Sequence, residues 1–223
     1  MSLLLTLLLA QLSWSVLLAA RRTTARLTAR AEALDTERLG WHVLSAEVRA
    51  GVAGRDWSVA LSRVLPLRAF RGLGELCPGT SDAEGGLVRY HGIRLADPAK
   101  DSLLLLTGAG EWRTVKLVAR ATTSLRCPGW EAGALERWRW DPPVAGVLLA
   151  RVFERGSYHL EDGALRYRLG EAGRQPLTLE RLEAASTFAR VGAALELRLR
   201  VIVEQGVTWE TTRRTSGLDP SGG

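Results

Sequence analysis

Residues 1–50 read MSLLLTLLLAQLSWSVLLAARRTTARLTARAEALDTERLGWHVLSAEVRA. Leu3 to Ala20 carries no charge and is almost wholly apolar, and about 18–20 such residues cross the hydrocarbon core of a bilayer as a helix. No Lys or Arg precedes the run, it is long for the apolar core of a secretory signal, and arginines follow Ala19-Ala20 directly. These features favour a retained anchor over a cleaved signal. Residues 21–50 lack proline and are rich in Ala, Leu, Arg and Glu, all good helix formers. Leu27, Leu34, Trp41 and Val48 recur every seven residues, with Ala31 and Leu44 close to the same face, giving one apolar stripe of an amphipathic helix. The two segments together predict an unbroken helix of about 48 residues, about 70 Å long, which Gly51 and Gly54 end.

The remaining length suffices for one domain with a core of its own. The chain has 223 residues, a formal net charge of +6 and a pI near 10.1. Its basic residues are nearly all arginine, since lysine stands only at 100 and 116. No block of five or more like charges occurs, so the basicity reads as ordinary surface charge before it reads as a polyanion site.

Residues 55–86 contain Pro66, Gly72, Gly74, Cys77-Pro78-Gly79 and Gly85-Gly86 and are expected to be a long connection with little regular structure. From Gly86 the chain is strand-like. Leu87–Leu95 and Trp112–Ala119 alternate, Asp101–Thr107 is a short apolar run, and Val144–Phe153 is a further strand. Residues 120–143, with Trp130, Trp138 and Trp140, read as a second loop region. Glu161-Asp162-Gly163 between Ser157–Leu160 and Ala164–Leu169 is a hairpin signal. Residues 176–188 fit either a short helix or a strand with its connection. Leu195, Leu197, Leu199 and Val201 alternate strictly, Gln205-Gly206 turns, and Val207–Arg213 closes the set. The fold class expected is α+β: the long N-terminal helix packed on one antiparallel sheet. The segments are a membrane and assembly helix at 1–22, an amphipathic helix at 23–54, a β-rich domain at 55–214 and a mobile tail at 215–223. Trp41 and Leu44 are expected to press the helix onto Leu195, Leu197 and Leu199, so that Trp41→Ala costs roughly 3–5 kcal/mol if Trp41 is buried.

Cys77 and Cys127 both precede Pro-Gly. In an exported chain two cysteines in matched turn contexts point to a disulfide. His42, His91 and His159 are far apart, and no metal spacing, P-loop, dinucleotide fingerprint or nucleophile elbow occurs. Asp82 and Glu84 supply too few oxygens for an EF-hand. No catalytic residue, cofactor-binding residue or metal ligand is therefore assigned.

Three stretches resemble the minor pilins of type IV pili and the related minor pseudopilins of type II secretion. They are the apolar helix running into ARAEALDTERLGWHVLSAEVRAG, then DPAKDSLLLL at 97–106, then SYHLEDGALRYR at 157–168 followed by Arg174-Gln175-Pro176-Leu177. The resemblance implies a pilin-like fold and a non-enzymatic filament subunit. It would be anchored by a single pass in a bacterial inner membrane, with its domain in the periplasm. Its partners would be other pilin or pseudopilin subunits, met through an assembly helix that includes Leu3, Leu5, Leu27, Leu34, Trp41 and Val48. Prepilins carry a short basic leader, and their mature chain has Glu at its fifth position. This sequence starts at Met1 without such a leader and has Leu5 instead, which leaves processing by a prepilin peptidase open. A leader would also outweigh Arg21-Arg22, which by the positive-inside rule would otherwise keep that end cytoplasmic. An intramembrane glutamate needs a partner. A subunit with Leu5 needs none, which suits a filament tip. The second reading is an anchored binding module, such as a DNA-capturing pilin that uses its arginines; nucleic acid is the lesser of the two expectations.

Overall fold

The computed structural model describes residues 2–131, 133–204 and 207–218. Helix α1 (Ser2–Arg49) is followed by β1 (Val64–Leu76), β2 (Gly85–Gly92), β3 (Asp101–Thr107), β4 (Trp112–Thr123), β5 (Leu135–Asp141) and β6 (Val147–Glu161). Then come β7 (Ala164–Leu169), β8 (Arg174–Pro176), β9 (Thr187–Val191), β10 (Ala194–Glu204) and β11 (Val207–Ser216).

The first six strands pair in the order β1-β2-β5-β4-β3-β6, and β6 returns to pair with β1. Every one of these pairings is antiparallel, so the sheet closes into a six-stranded barrel. A separate three-stranded sheet has the order β11-β10-β9. The expectation of a pilin-like helix laid on one open sheet is thereby corrected. The strands form a closed barrel, and α1 packs on the separate small sheet, mainly on β10.

Alternation explains the barrel interior. Strand β5, LERWRWD, turns Trp138 and Trp140 inward while Arg137 and Arg139 stay in solvent. Those two indoles pack with Leu76, Val88, Leu103, Leu105, Val115, Leu117 and Val152 in one core. A second core joins the helix to the small sheet and to β1, β6 and β7 through Leu44, Val48, Trp57, Leu65, Tyr158, Leu165, Phe188, Leu195, Leu197 and Leu199.

Strand β6 belongs to both cores. Its 15 residues include two stretches that the sequence presents as separate strands. One edge meets β1 over Leu149–His159; the other meets β3 over Val147–Glu154 and then β7 over Gly156–Glu161. The β6–β7 turn is the anticipated Asp-Gly pair, with φ of 47° at Asp162 and 71° at Gly163. Positive φ at both central residues matches the right-handed twist of the flanking strands.

Three further expectations are corrected. Residues 64–76 are a strand, not a loop, despite Pro66, Gly72 and Gly74. The Tyr90 ring covers Gly72 so closely that an added Cβ would lie 2.4 Å from its hydroxyl, and an aromatic neighbour can compensate a bare glycine in a sheet. The 120–143 region contains the end of β4 and all of β5. Of the two alternatives for residues 176–188, the strand with its connection is the one found: between β8 and β9 there is no helix, only a bridge from Leu182 to Val201. At the C-terminus, β11 runs to Ser216 and Leu218 pairs with Val52. Residues 219–223 of the expected tail and the expected Gln205-Gly206 turn lie outside the described residues.

Cys77 and Cys127 form a disulfide with a Cα–Cα distance of 5.6 Å. It joins the end of β1 to the segment between β4 and β5 and anchors a small cluster with Leu87, Leu135 and the partly buried Trp130.

Candidate assembly helix and the charged network beneath it

Helix α1 has two parts with opposite environments. From Leu3 to Glu32 no position is buried, and Leu3, Leu4, Leu5, Leu7 and Val16 are each more than 60% exposed. Helix α1 is long and apolar enough to cross a bilayer, and none of its most apolar window is buried against the domain. Four hydroxyls in its first half are satisfied locally. Thr6 donates to the Leu3 carbonyl, Ser15 to Leu12, Thr23 to Ala19 and Thr24 to Ala20. Bonds of this kind keep Ser and Thr tolerable in an apolar helix.

Burial begins at Ala33 and continues through Thr36, Glu37, Gly40, Leu44, Ser45 and Val48. This face differs from the stripe read at seven-residue intervals. Leu27 is 63% exposed, Leu34 and Trp41 are half-buried, and only Val48 of that stripe is fully buried. A straight helix drifts about 20° per heptad, so a seven-residue repeat leaves the buried face progressively toward the N-terminus. The structure brings Leu3, Leu5 and Leu27 to the uncovered part of the helix and Val48 to the domain core. The Arg213 guanidinium lies 5.8 Å from the centre of the Trp41 ring. Gly40 faces Leu165, Thr178 and Leu199, and an added Cβ there would meet them at 3.5–4.0 Å, in ordinary van der Waals contact.

These environments change the expected effect at Trp41. Leu44→Ala should cost about 2–5 kcal/mol, because its side chain is fully buried and leaves a cavity. Trp41→Ala should cost less, roughly 1–2 kcal/mol, because its side chain is only partly buried at the edge of the same core. Chemical denaturation of both variants tests the order; a larger loss at Trp41 would overturn it.

Under the C-terminal turns of α1 lies a charged network. Arg71 donates to Glu47 at 2.6 Å and to Glu154 at 2.9 and 2.7 Å. Glu154 also accepts from the Tyr167 hydroxyl at 2.9 Å and from Arg94 at 2.8 Å. Arg94 grips Asp101 through two nitrogens at 2.7 and 2.6 Å. The side chains are shielded, with Arg71 12%, Glu47 11% and Glu154 7% exposed, and Asp101 fully buried. Burial alone would raise the Glu154 carboxyl, but Arg71, Tyr167 and Arg94 outweigh it and hold the group below the usual carboxylate range. Glu47 differs: burial outweighs its single arginine and raises its pKa. Burial and the nearby carboxylates also raise the phenols of Tyr158 and Tyr167. Six separate segments supply the six members of this network, so no spacing in the sequence announces it. Two further ion pairs join the helix to the domain, Glu37–Arg213 at 2.6 Å and Glu32–Arg181. Arg151 donates to the Ala50 carbonyl just past the helix end, where a cation also meets the negative pole of the helix dipole.

No family model, curated protein or solved structure matches the chain.

The other residues singled out by sequence have ordinary partners. Trp138 is fully buried in the barrel, with its indole nitrogen 2.6 Å from Glu136. Asp82 pairs with Arg137 and accepts from the Glu84 amide. His159 shares a 2.8 Å hydrogen bond with Ser157, and burial lowers its pKa. Among the described residues, no group of three or more His, Cys, Asp and Glu is placed to hold a metal.

Proposed function

We propose that this chain is a membrane-anchored structural subunit of a filament, of the minor pilin or pseudopilin kind, that assembles through α1 and holds its barrel away from the bilayer. The observation that carries this reading is the helix itself. Its apolar first part has no cover within the molecule, and the same unbroken helix is bolted to the domain by Leu44, Val48 and the Glu47–Arg71 pair. An exposed apolar surface much larger than a few hundred Å² marks a membrane or protein contact. The arginines of the domain favour this reading over nucleic-acid capture. Arg71, Arg89, Arg94, Arg120, Arg137, Arg166, Arg168, Arg174, Arg213 and Arg214 are all engaged by carboxylates.

Two measurements on full-length protein extracted from membranes test the proposal. Intact mass should show α1 retained, and a mature N-terminus at or beyond Ala20 would sink the anchor. Leu27→Cys adds one free thiol at an exposed helix position to a chain whose two native cysteines are already bonded. Oxidation in the membrane should join this thiol to a matching cysteine on a neighbouring subunit's helix. A species that stays monomeric throughout would end the assembly reading.

A further inference from the structure

The outer face of the β1–β6 pair presents a basic cleft that the helix does not use. Arg68 and Arg155 are direct cross-strand partners in the antiparallel ladder. Side chains so placed have Cβ atoms about 4.5–5.5 Å apart, and like charges there repel. Both line a cleft of about 310 Å³ with Arg55, Trp57, Ser58, Pro66 and Leu67. The one carboxylate in the cleft is Asp56, and it is fully committed. It accepts from Arg68 at 3.1 Å, from Arg55 at 3.3 Å and from the Val52 amide at 2.9 Å. Arg155 is exposed, and among the described residues its side chain has no hydrogen-bond or ion-pair partner. The Arg68 guanidinium stacks over the Phe153 ring at 5.1 Å, which fixes it at the mouth of the cleft.

The charge balance selects a ligand class. Three guanidinium groups and one carboxylate leave two positive charges facing solvent. A carboxylate ligand would cancel one of them, whereas a phosphate monoester carries about 1.5–2 negative charges at neutral pH. Arginine forks match phosphate oxygens in pairs. We propose that this cleft binds a phosphate dianion, either free or as the head of a small phosphate ester. The site lies at the domain end of α1. Residues 20 and 50 are about 45 Å apart along the helix, which puts the cleft beyond the headgroups of a bilayer spanned by Leu3–Ala20. The inference therefore does not depend on membrane anchoring or on filament assembly.

Calorimetric titration of the full chain in a neutral detergent tests it, with inorganic phosphate and glycerol 3-phosphate as probes and acetate at matched ionic strength as comparison. Saturable binding of one phosphate per chain, with acetate at least about tenfold weaker, supports the site. Tighter binding of the ester identifies an ester as the natural source. Arg155→Gln removes a charged donor without breaking a native hydrogen bond or ion pair and should weaken phosphate at least about tenfold. Arg126→Gln makes the same change in net charge at an exposed position outside the cleft and should leave affinity unchanged. Equal affinity for acetate, no effect of Arg155→Gln, or an equal effect of Arg126→Gln would each overturn the proposal. So would binding of a short single-stranded DNA in the absence of phosphate binding, which would make the cleft part of a nucleic-acid track.

Discussion

Glu154→Gln is expected to lower stability by about 3–5 kcal/mol at neutral pH, the usual cost of removing one partner from a shielded ion pair. Glu154 is 7% exposed and receives Arg71, Arg94 and the Tyr167 hydroxyl. An amide keeps the shape but removes the charge that Arg71 and Arg94 share, leaving Arg71 only Glu47 and Arg94 only Asp101 as ionic partners. The loss should depend on pH in a defined direction. A carboxyl held below its ordinary value in the fold contributes stability above its unfolded pKa, about 4.3, and loses it as pH falls through the folded value. The gap between wild type and Glu154→Gln should therefore be widest near pH 7 and narrow below about pH 4. Glu47→Gln should cost less at neutral pH. Its pKa is raised, so keeping it ionised already opposes folding above the ordinary carboxylate range. Urea denaturation at pH 7 and pH 3.5 tests both statements. A pH-independent gap for Glu154→Gln would mean that packing, and not charge, is what the residue supplies.

The second large effect is expected from the disulfide. It spans a sequence separation of 50 residues, and the chain-entropy account gives about 4 kcal/mol for a closed loop of that length. The Cys77→Ala, Cys127→Ala double variant should lose that amount, less whatever local packing recovers. The bridge encloses β2, β3 and β4. Its removal should therefore expose barrel amides to hydrogen exchange more than amides of the β9–β11 sheet. Equal acceleration in both would show that the two cores unfold as one unit.

Local signals and distant pairings were unequally legible in the sequence. The helix, the Asp162-Gly163 hairpin and the alternation of Leu195, Leu197 and Leu199 rest on neighbours within a few residues, where periodicity and turn chemistry act. Strand β1 was hidden because Pro66, Gly72 and Gly74 carry loop signals. What keeps that stretch extended is cover supplied from elsewhere: Tyr90 over Gly72, and Val88 and Trp138 against Gly74. Strand β5 was hidden because three tryptophans in a Pro- and Gly-containing region obscured the inward alternation of Trp138 and Trp140. Closure of the barrel had no local signature, since it depends on which strand β1 chooses. The buried face of α1 was displaced from the seven-residue stripe because 3.6 residues per turn does not divide seven, and Glu37 and Glu47 on the packed side were masked by their charge. The cleft around Asp56 was likewise invisible, because it needs Arg68 and Arg155 in register across the β1–β6 ladder.

That ladder also dictates the order in which the barrel can form. Arg71 and Glu154, which meet across it, are 83 residues apart in the chain. Hairpins such as β6–β7 and β10–β11 close over short loops and can form early. The β1–β6 seam must wait until almost the whole barrel sequence is available, and contacts of such long range slow folding. Until the seam closes, β1 and β6 present unpaired edges, which are templates for association with other chains. A chain tethered by α1 before that moment would meet its neighbours with its edges open. Dilution along the membrane during synthesis, rather than final stability, would then set the yield of native barrel.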